Sequence, residues 1–250
     1  MQGEDRLLAD VADEFGRVQV VEVGAYRFLE FGEAIEQSCV FMPDPAWLEY
    51  DYTRAMLLGA LCHPAPESAL FLGLGGGSLV QACLRFLPLD DLEIVELRPE
   101  VVRLARELLA FPDEDPRLTV RLGDATQLLD DAECADLIFV DLYNDAGPAP
   151  GHLAWGFLER CQRKLNPGGW LVINQWGTDA GQPLGAALLR GLFHRHYLEC
   201  PVKEGNVVLL VPADLEQPLQ APGLAERAEA LAPRLGYSLA GLIAALRPAT

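Results

Sequence analysis

The chain has 250 residues, half of them hydrophobic, enough for one large domain or for a domain with an appendage. Asp and Glu outnumber Lys and Arg by 37 to 19, and the formal charge of -18 argues against nucleic acid and suits a cationic or small neutral partner. The acidic start lacks the blocks of a signal peptide, no stretch approaches the ~20 apolar residues of a membrane span, and the six scattered cysteines offer no metal-ligand spacing, so a cytoplasmic protein with reduced thiols, no membrane contact and no metal is expected.

Residues 17–40 carry short β-branched and aromatic runs broken at Gly24 and Gly32, which predict two or three small antiparallel strands. Pro43 and Pro45 follow, and apolar residues then recur at helical spacing over 47–62 until Pro64 and Pro66. Residues 1–66 thus read as a small N-terminal β appendage with a linking helix, and residues 67–250 as an α/β domain. Strands at 69–74, 92–96, 118–122, 136–141 and 169–174 are interleaved with helices at 77–87, 99–110 and 152–165. That alternation predicts a doubly wound, mostly parallel sheet. A helix near 183–195, the runs YLECPV and NVVLLV as a closing hairpin, and short helices in 223–234 and 237–246 complete the chain.

In FLGLGGGSLV, Gly73, Gly75 and Gly77 form G-x-G-x-G at the first strand-to-helix turn, where a backbone without Cβ atoms can bend tightly and lie against a ligand. Glu96 ends the second strand, roughly 20 residues on, where an acid can accept hydrogen bonds from both hydroxyls of a ribose. After the third strand, Asp124 and the backbone of Ala125 are placed to take an adenine amino proton. Nicotinamide enzymes share the first two signals, and Ser78 stands where their third glycine would fall. The Gly-Asp-Ala run at 123–125 turns the reading toward an adenosyl sulfonium of the S-adenosylmethionine type.

With LGLGGGSL, IVELRPEVVRLAREL, DPRLTVRLGDATQLL, ADLIFVDLYNDAGPAP and FLERCQRKLNPGGWLVIN in this order, the chain resembles the spermidine synthase-like branch of the class I methyltransferase fold over residues 17–212. The resemblance implies a transferase that moves an aminopropyl group from decarboxylated S-adenosylmethionine to putrescine or a similar small amine and leaves methylthioadenosine. It marks Asp141 as the catalytic acid and Tyr52 or Tyr50 as the source of a hydroxyl, with Tyr143 and Asp145 toward the acceptor; Gln175, after the fifth strand, stands where a side chain can line the acceptor pocket.

Two departures bear on the acceptor. The family's loop reads Asp-x-x-Asp-Pro, whereas here Asp145 lies one residue later and Asn144 takes the expected place of the second acid. The linking helix carries Glu49-Tyr50-Asp51-Tyr52-Thr53-Arg54 instead of Tyr-His-Glu, and Arg54 would repel a polyamine if it faced the site. Competing readings are a methyltransferase using intact S-adenosylmethionine and a non-catalytic adenosyl-ligand-binding protein. A homodimer is expected, because dimerisation would cover the edges of a short N-terminal sheet.

Overall fold

The computed structural model describes residues 5–32, 35–112, 114–145, 147–149, 151–216, 219 and 221–249. The chain opens with β1 (Arg6–Asp13), β2 (Gly16–Val23), β3 (Tyr26–Phe31) and β4 (Ile35–Phe41), an antiparallel sheet in chain order. Gly16, Gly24 and Gly32 take positive φ at or beside its turns, which hairpin twist favours. Four strands therefore replace the expected two or three. The additional strand, β1, reads RLLADVAD and forms one edge of the sheet.

Helix α1 (Asp51–Ala60) is shorter than its apolar spacing predicts, and its residues from Ala55 onward are buried. Gly59 is the contact point with the large sheet: a Cβ there would stand 2.6 Å from Leu210 and 2.8 Å from Val172. One buried cluster joins Val18, Val20 and Leu29 of the small sheet to Leu57 of α1 and to Phe71 and Phe139 beyond it. The small sheet and the rest of the chain thus share a core.

The remaining elements are β5 (Ser68–Leu72), α2 (Ser78–Phe86), β6 (Asp91–Glu96), α3 (Pro99–Leu108), β7 (Leu118–Leu122), α4 (Ala125–Leu128), β8 (Ala135–Val140), β9 (Tyr143–Asn144), β10 (Gly147–Pro148), α5 (Trp155–Arg163), β11 (Leu165–Trp176), α6 (Ala186–Leu192), β12 (Leu198–Pro201), β13 (Asn206–Pro212), α7 (Leu224–Leu235), α8 (Ala240–Ala245) and β14 (Arg247–Pro248). The large sheet runs β14-β12-β13-β11-β8-β5-β6-β7. Strands β5 to β8 and β11 are parallel, and β13, β12 and β14 close one side antiparallel.

The chain enters this sheet at β5, winds outward through β6 and β7, then returns to β8 on the other flank of β5. The carboxyl ends of β5 and β8 therefore flank the topological switch point, where open α/β sheets leave a crevice. Gly73 and Asp141 are the residues that follow those two strands.

The small sheet is held at this edge by Arg98, which leads into α3. Its guanidinium donates to both carboxylate oxygens of Asp13, at 3.0 and 2.7 Å, and to the carbonyl of Gly16 at 2.8 Å. It also lies over the ring of Phe31. With both side chains nearly buried, the fork geometry ties the first hairpin to the end of β6.

Candidate active site

The glycine turn is packed against β4, Phe111 and the backbone that follows β8. Gly73, Gly75 and Gly77 have φ of +100°, +55° and +79°, and a Cβ on Gly73 would collide with the backbone carbonyl of Asp141. Gly75 and Gly76 lie under Ser38 of β4, whose hydroxyl accepts from the Gly76 N–H at 2.7 Å. Gly77 packs on Phe111, and the Ser78 hydroxyl donates to the Cys39 carbonyl. The sequence suggests glycines cleared for a ligand; in the structure they also let β4 and β8 close on the turn.

Glu96 is fixed by two backbone donors, Leu74 N–H to Oε2 and Arg98 N–H to Oε1, each at 2.9 Å. Burial pushes its carboxyl above the ordinary range, and those backbone donors pull the other way. A carboxylate oxygen keeps a second lone pair after one such bond, so Glu96 retains acceptor capacity beside the turn. Asp124 caps α4: its Oδ1 accepts from the Thr126 N–H and hydroxyl, both at 2.8 Å, and Ala125 behind it is buried. Glu96 and Gly123 are also joined across the edge by a backbone bond from Gly123 N–H to Glu96 carbonyl, 2.9 Å.

Asp141 is the centre of the second half of the site. Burial raises its carboxyl above the usual carboxylate value, opposed by one hydrogen bond, from Asn174 Nδ2 to Oδ1 at 2.9 Å. Tyr52, from α1, and Tyr143, from β9, both lie within electrostatic reach of this carboxylate, and burial pushes both phenols upward. The Tyr52 hydroxyl reaches the Gln37 carbonyl, at 3.4 Å, and the buried Tyr143 hydroxyl makes no bond of full hydrogen-bond geometry among the described residues, although the Asn206 amide is near enough to oppose the rise in its pKa. Two phenols and a carboxylate from three separate elements thus converge, with donor capacity left over.

The other expected acceptor residues lie elsewhere. Gln175 is wholly buried and serves the loop: its Nε2 meets His152 Nε2 at 2.9 Å and its Oε1 accepts from the Trp176 N–H. His152 Nδ1 faces the Ala149 carbonyl at 2.7 Å, so it carries the proton and Nε2 accepts from Gln175. His152 is buried, and burial holds this imidazole below its ordinary pKa. Asp145 is exposed at the turn of the β9–β10 ribbon, its Cβ against Gly32 and outside the hydrogen bonds around Asp141. Arg54 turns away, onto the Leu48 carbonyl, Asp51 and the rings of Trp47 and Tyr237, which removes the repulsion its position in the sequence suggests.

Ser38, Asn174 and Asn206 were not legible as site residues. Asn174 and Gln175 alternate at the end of β11, so only one of them can point toward Asp141. Strand periodicity signals that choice but not its sense. Asn206 Nδ2 donates to Asn174 Oδ1 at 2.9 Å, a contact that needs the register of β13 on β11. Among the described residues no group of three or more His, Cys, Asp or Glu is arranged to hold a metal ion, and no helix is long and apolar enough to cross a membrane.

Comparison with known proteins agrees with this architecture. Residues 51–179 match the family model for the spermine/spermidine synthase domain. The polyamine aminopropyltransferase of Chromobacterium violaceum is 27% identical over 244 residues, covering 97% of this chain and 94% of its own. That of Vibrio vulnificus is 31% identical over 245 residues, covering 93% of this chain and 80% of its own. A crystallised spermidine synthase in complex with the transition-state analogue AdoDATO superposes with a TM-score of 0.78 at 16% identity, over 96% of this chain and 84% of that one, which establishes the shared fold. On the strength of the matched domain and these relatives, the chain belongs to the spermine/spermidine synthase family.

Proposed function

We propose that this transferase moves an aminopropyl group from decarboxylated S-adenosylmethionine to a small amine. The observation that carries the reading is the setting of Asp141: a partly buried carboxylate at the switch point, its backbone packed on the glycine turn, with Tyr52 and Tyr143 within electrostatic reach. Glu96 would hold the donor's ribose and Asp124 with Ala125 its adenine, along the turn of Gly73, Gly75 and Gly77.

The reaction is a displacement at the carbon next to the sulfonium. The amine lone pair forms the new C–N bond as the C–S bond breaks, and its electron pair returns to sulfur, leaving neutral methylthioadenosine. The donor arrives activated, so the protein's work is alignment and proton removal. An alkylammonium has a pKa of about 10 and no lone pair, so the attacking end must lose a proton first. Asp141 is the group to receive it, because burial makes its carboxylate a stronger base than an exposed one. Tyr52 and Tyr143 would orient the amine.

Intact S-adenosylmethionine would bring a carboxylate needing N–H donors or a cation, and several donors of this region are already engaged. The Gly76 N–H is taken by Ser38, Arg98 by Asp13, and Arg54 by Asp51 and a backbone carbonyl. Calorimetric titration with decarboxylated S-adenosylmethionine, S-adenosylmethionine and methylthioadenosine, each with and without putrescine, tests the choice. Tighter binding of the decarboxylated donor supports it, and a preference for the full amino-acid ligand replaces it with methyl transfer.

We read the assembly as a cytoplasmic homodimer. Support for the dimer comes from β1, an edge strand whose Leu7 is 53% exposed. Light scattering at micromolar protein decides between one and two copies.

A further inference from the structure

We propose that Asn206 is a positioning residue for Asp141, acting through Asn174, an inference that rests on the transfer reading above. The polarity of the contacts makes the case. An ionised carboxylate only accepts, so Asn174 must turn its Nδ2 toward Asp141 Oδ1, at 2.9 Å. Its Oδ1 then points the other way, where Asn206 Nδ2 donates at 2.9 Å. Each amide therefore has one allowed orientation, and the donor at the far end selects it.

The register places both amides on one side of the sheet. Asn174 pairs with Val208 and Trp176 with Asn206, so Asn206 is the diagonal neighbour of Asn174. Asn174 is 3% exposed, which leaves water little access to substitute for Asn206.

The hairpin bearing Asn206 is itself anchored. The Val202 N–H donates to the Asn206 carbonyl at 2.9 Å, the Gly177 N–H to the Gly205 carbonyl at 2.7 Å, and Glu204 accepts from the N–H of Asp51 at the start of α1 at 3.0 Å. Asp141 is thus oriented from a hairpin whose strand β13 lies two strands away in the sheet, by neutral groups only. The ionisable groups around it are Tyr52 from α1 and Tyr143 from β9, and Tyr52 in turn senses Glu36 of β4 and Glu204 of the hairpin. A neutral relay holds the carboxylate without the cation that would make it a poor base.

The first test uses the unmodified protein. Asn174 and Asn206 side-chain amide signals and the Asp141 carboxyl carbon are followed by NMR through a pH titration, with Asp141→Asn identifying the carboxyl signal. The relay predicts that both amides move with the Asp141 midpoint and that Asp141→Asn abolishes the movement. An Asn206 amide that ignores the titration overturns it.

The second test is kinetic. Asn206→Leu removes the donor without adding charge, and is expected to lower kcat by about tenfold to a hundredfold while the KM for the donor changes little. Asn206→Asp keeps the shape but reverses the polarity, and is expected to lower kcat further and to shift the acid limb of the pH profile upward by about one unit. Variants that unfold at lower temperature yet keep the wild-type kcat and acid limb show a merely structural pair and overturn the proposal. Coupled amides in a wild-type protein that transfers no aminopropyl group count against the transfer reading instead, whereas transfer with uncoupled amides counts against the relay alone.

Discussion

The backbone carbonyl of Asp141 occupies the space that a Cβ on Gly73 would need. The first glycine of the turn and the acid after β8 are therefore one construction: β5 and β8 lie side by side, Leu72 opposite Val140, and the Asp141 N–H donates to the Leu72 carbonyl at 3.0 Å.

Gly73→Ala is expected to be costly twice over, through a strained φ of +100° and through collision with backbone that cannot swing aside. Loss of about 2–5 kcal/mol is expected from urea denaturation. Gly16→Ala, with a φ of +112° but nothing within 4 Å, isolates the strain and should lose about 1–3 kcal/mol. Equal losses at the two sites would remove the proposed contact.

Asp141→Asn should separate activity from stability. The raised carboxyl pKa means that the folded protein binds the proton more tightly than the unfolded chain. Stability from this group is highest at low pH, falls as pH rises from the ordinary value of 3.8 through the raised folded value, and stays lowered above it. The amide variant escapes that penalty, so at neutral pH its Tm should rise while kcat drops by about 10²–10⁴ and donor affinity is kept. A lower Tm with kcat unchanged would reverse both expectations.

The fold was legible because β5 to β8 and β11 are short apolar runs separated by helical spacing, a signal that tertiary contacts reinforce. Strand β1 was not, since its alternating charges read as solvated chain until β2 supplies a partner. In the site, Gly73 and Glu96 stand at strand ends that the sequence marks. Asn174 and Ser38 act through neighbours distant in sequence, and amide or hydroxyl side chains carry no spacing signature of their own. Gln175 shows the same difficulty from the other side: strand alternation sends it to His152, away from Asp141.

The Gln175–His152 pair gives the segment between β10 and α5 a pH response. Burial lowers the folded pKa of His152 below the ordinary imidazole value of 6.5, so the unfolded chain binds the proton more readily. Stability contributed here is fully present above 6.5 and is lost as pH falls toward the lowered folded value. Hydrogen exchange in the described residues of 147–153 should accelerate relative to the core as pH falls below 6.5, and His152→Gln should flatten that dependence. Exchange with the same pH dependence in both proteins would assign the response elsewhere.

Arg98 and Asp13 form a nearly buried pair, with side chains 6% and 12% exposed. Asp13→Ala leaves a guanidinium without its carboxylate and should destabilise by about 3–5 kcal/mol. Arg98→Met combined with Asp13→Ala should recover part of that loss, because an apolar pair carries no desolvation penalty. Additive losses in the double-mutant cycle would show that the two residues act independently.

The most direct measurement is product identification by mass spectrometry after incubating the purified protein with putrescine and either decarboxylated S-adenosylmethionine or S-adenosylmethionine. Aminopropyl transfer predicts methylthioadenosine and an aminopropylated amine from the first donor, in equal amounts and with loss of both in Asp141→Asn. Methylated amine and S-adenosylhomocysteine from the second donor, with the first left intact, would contradict it.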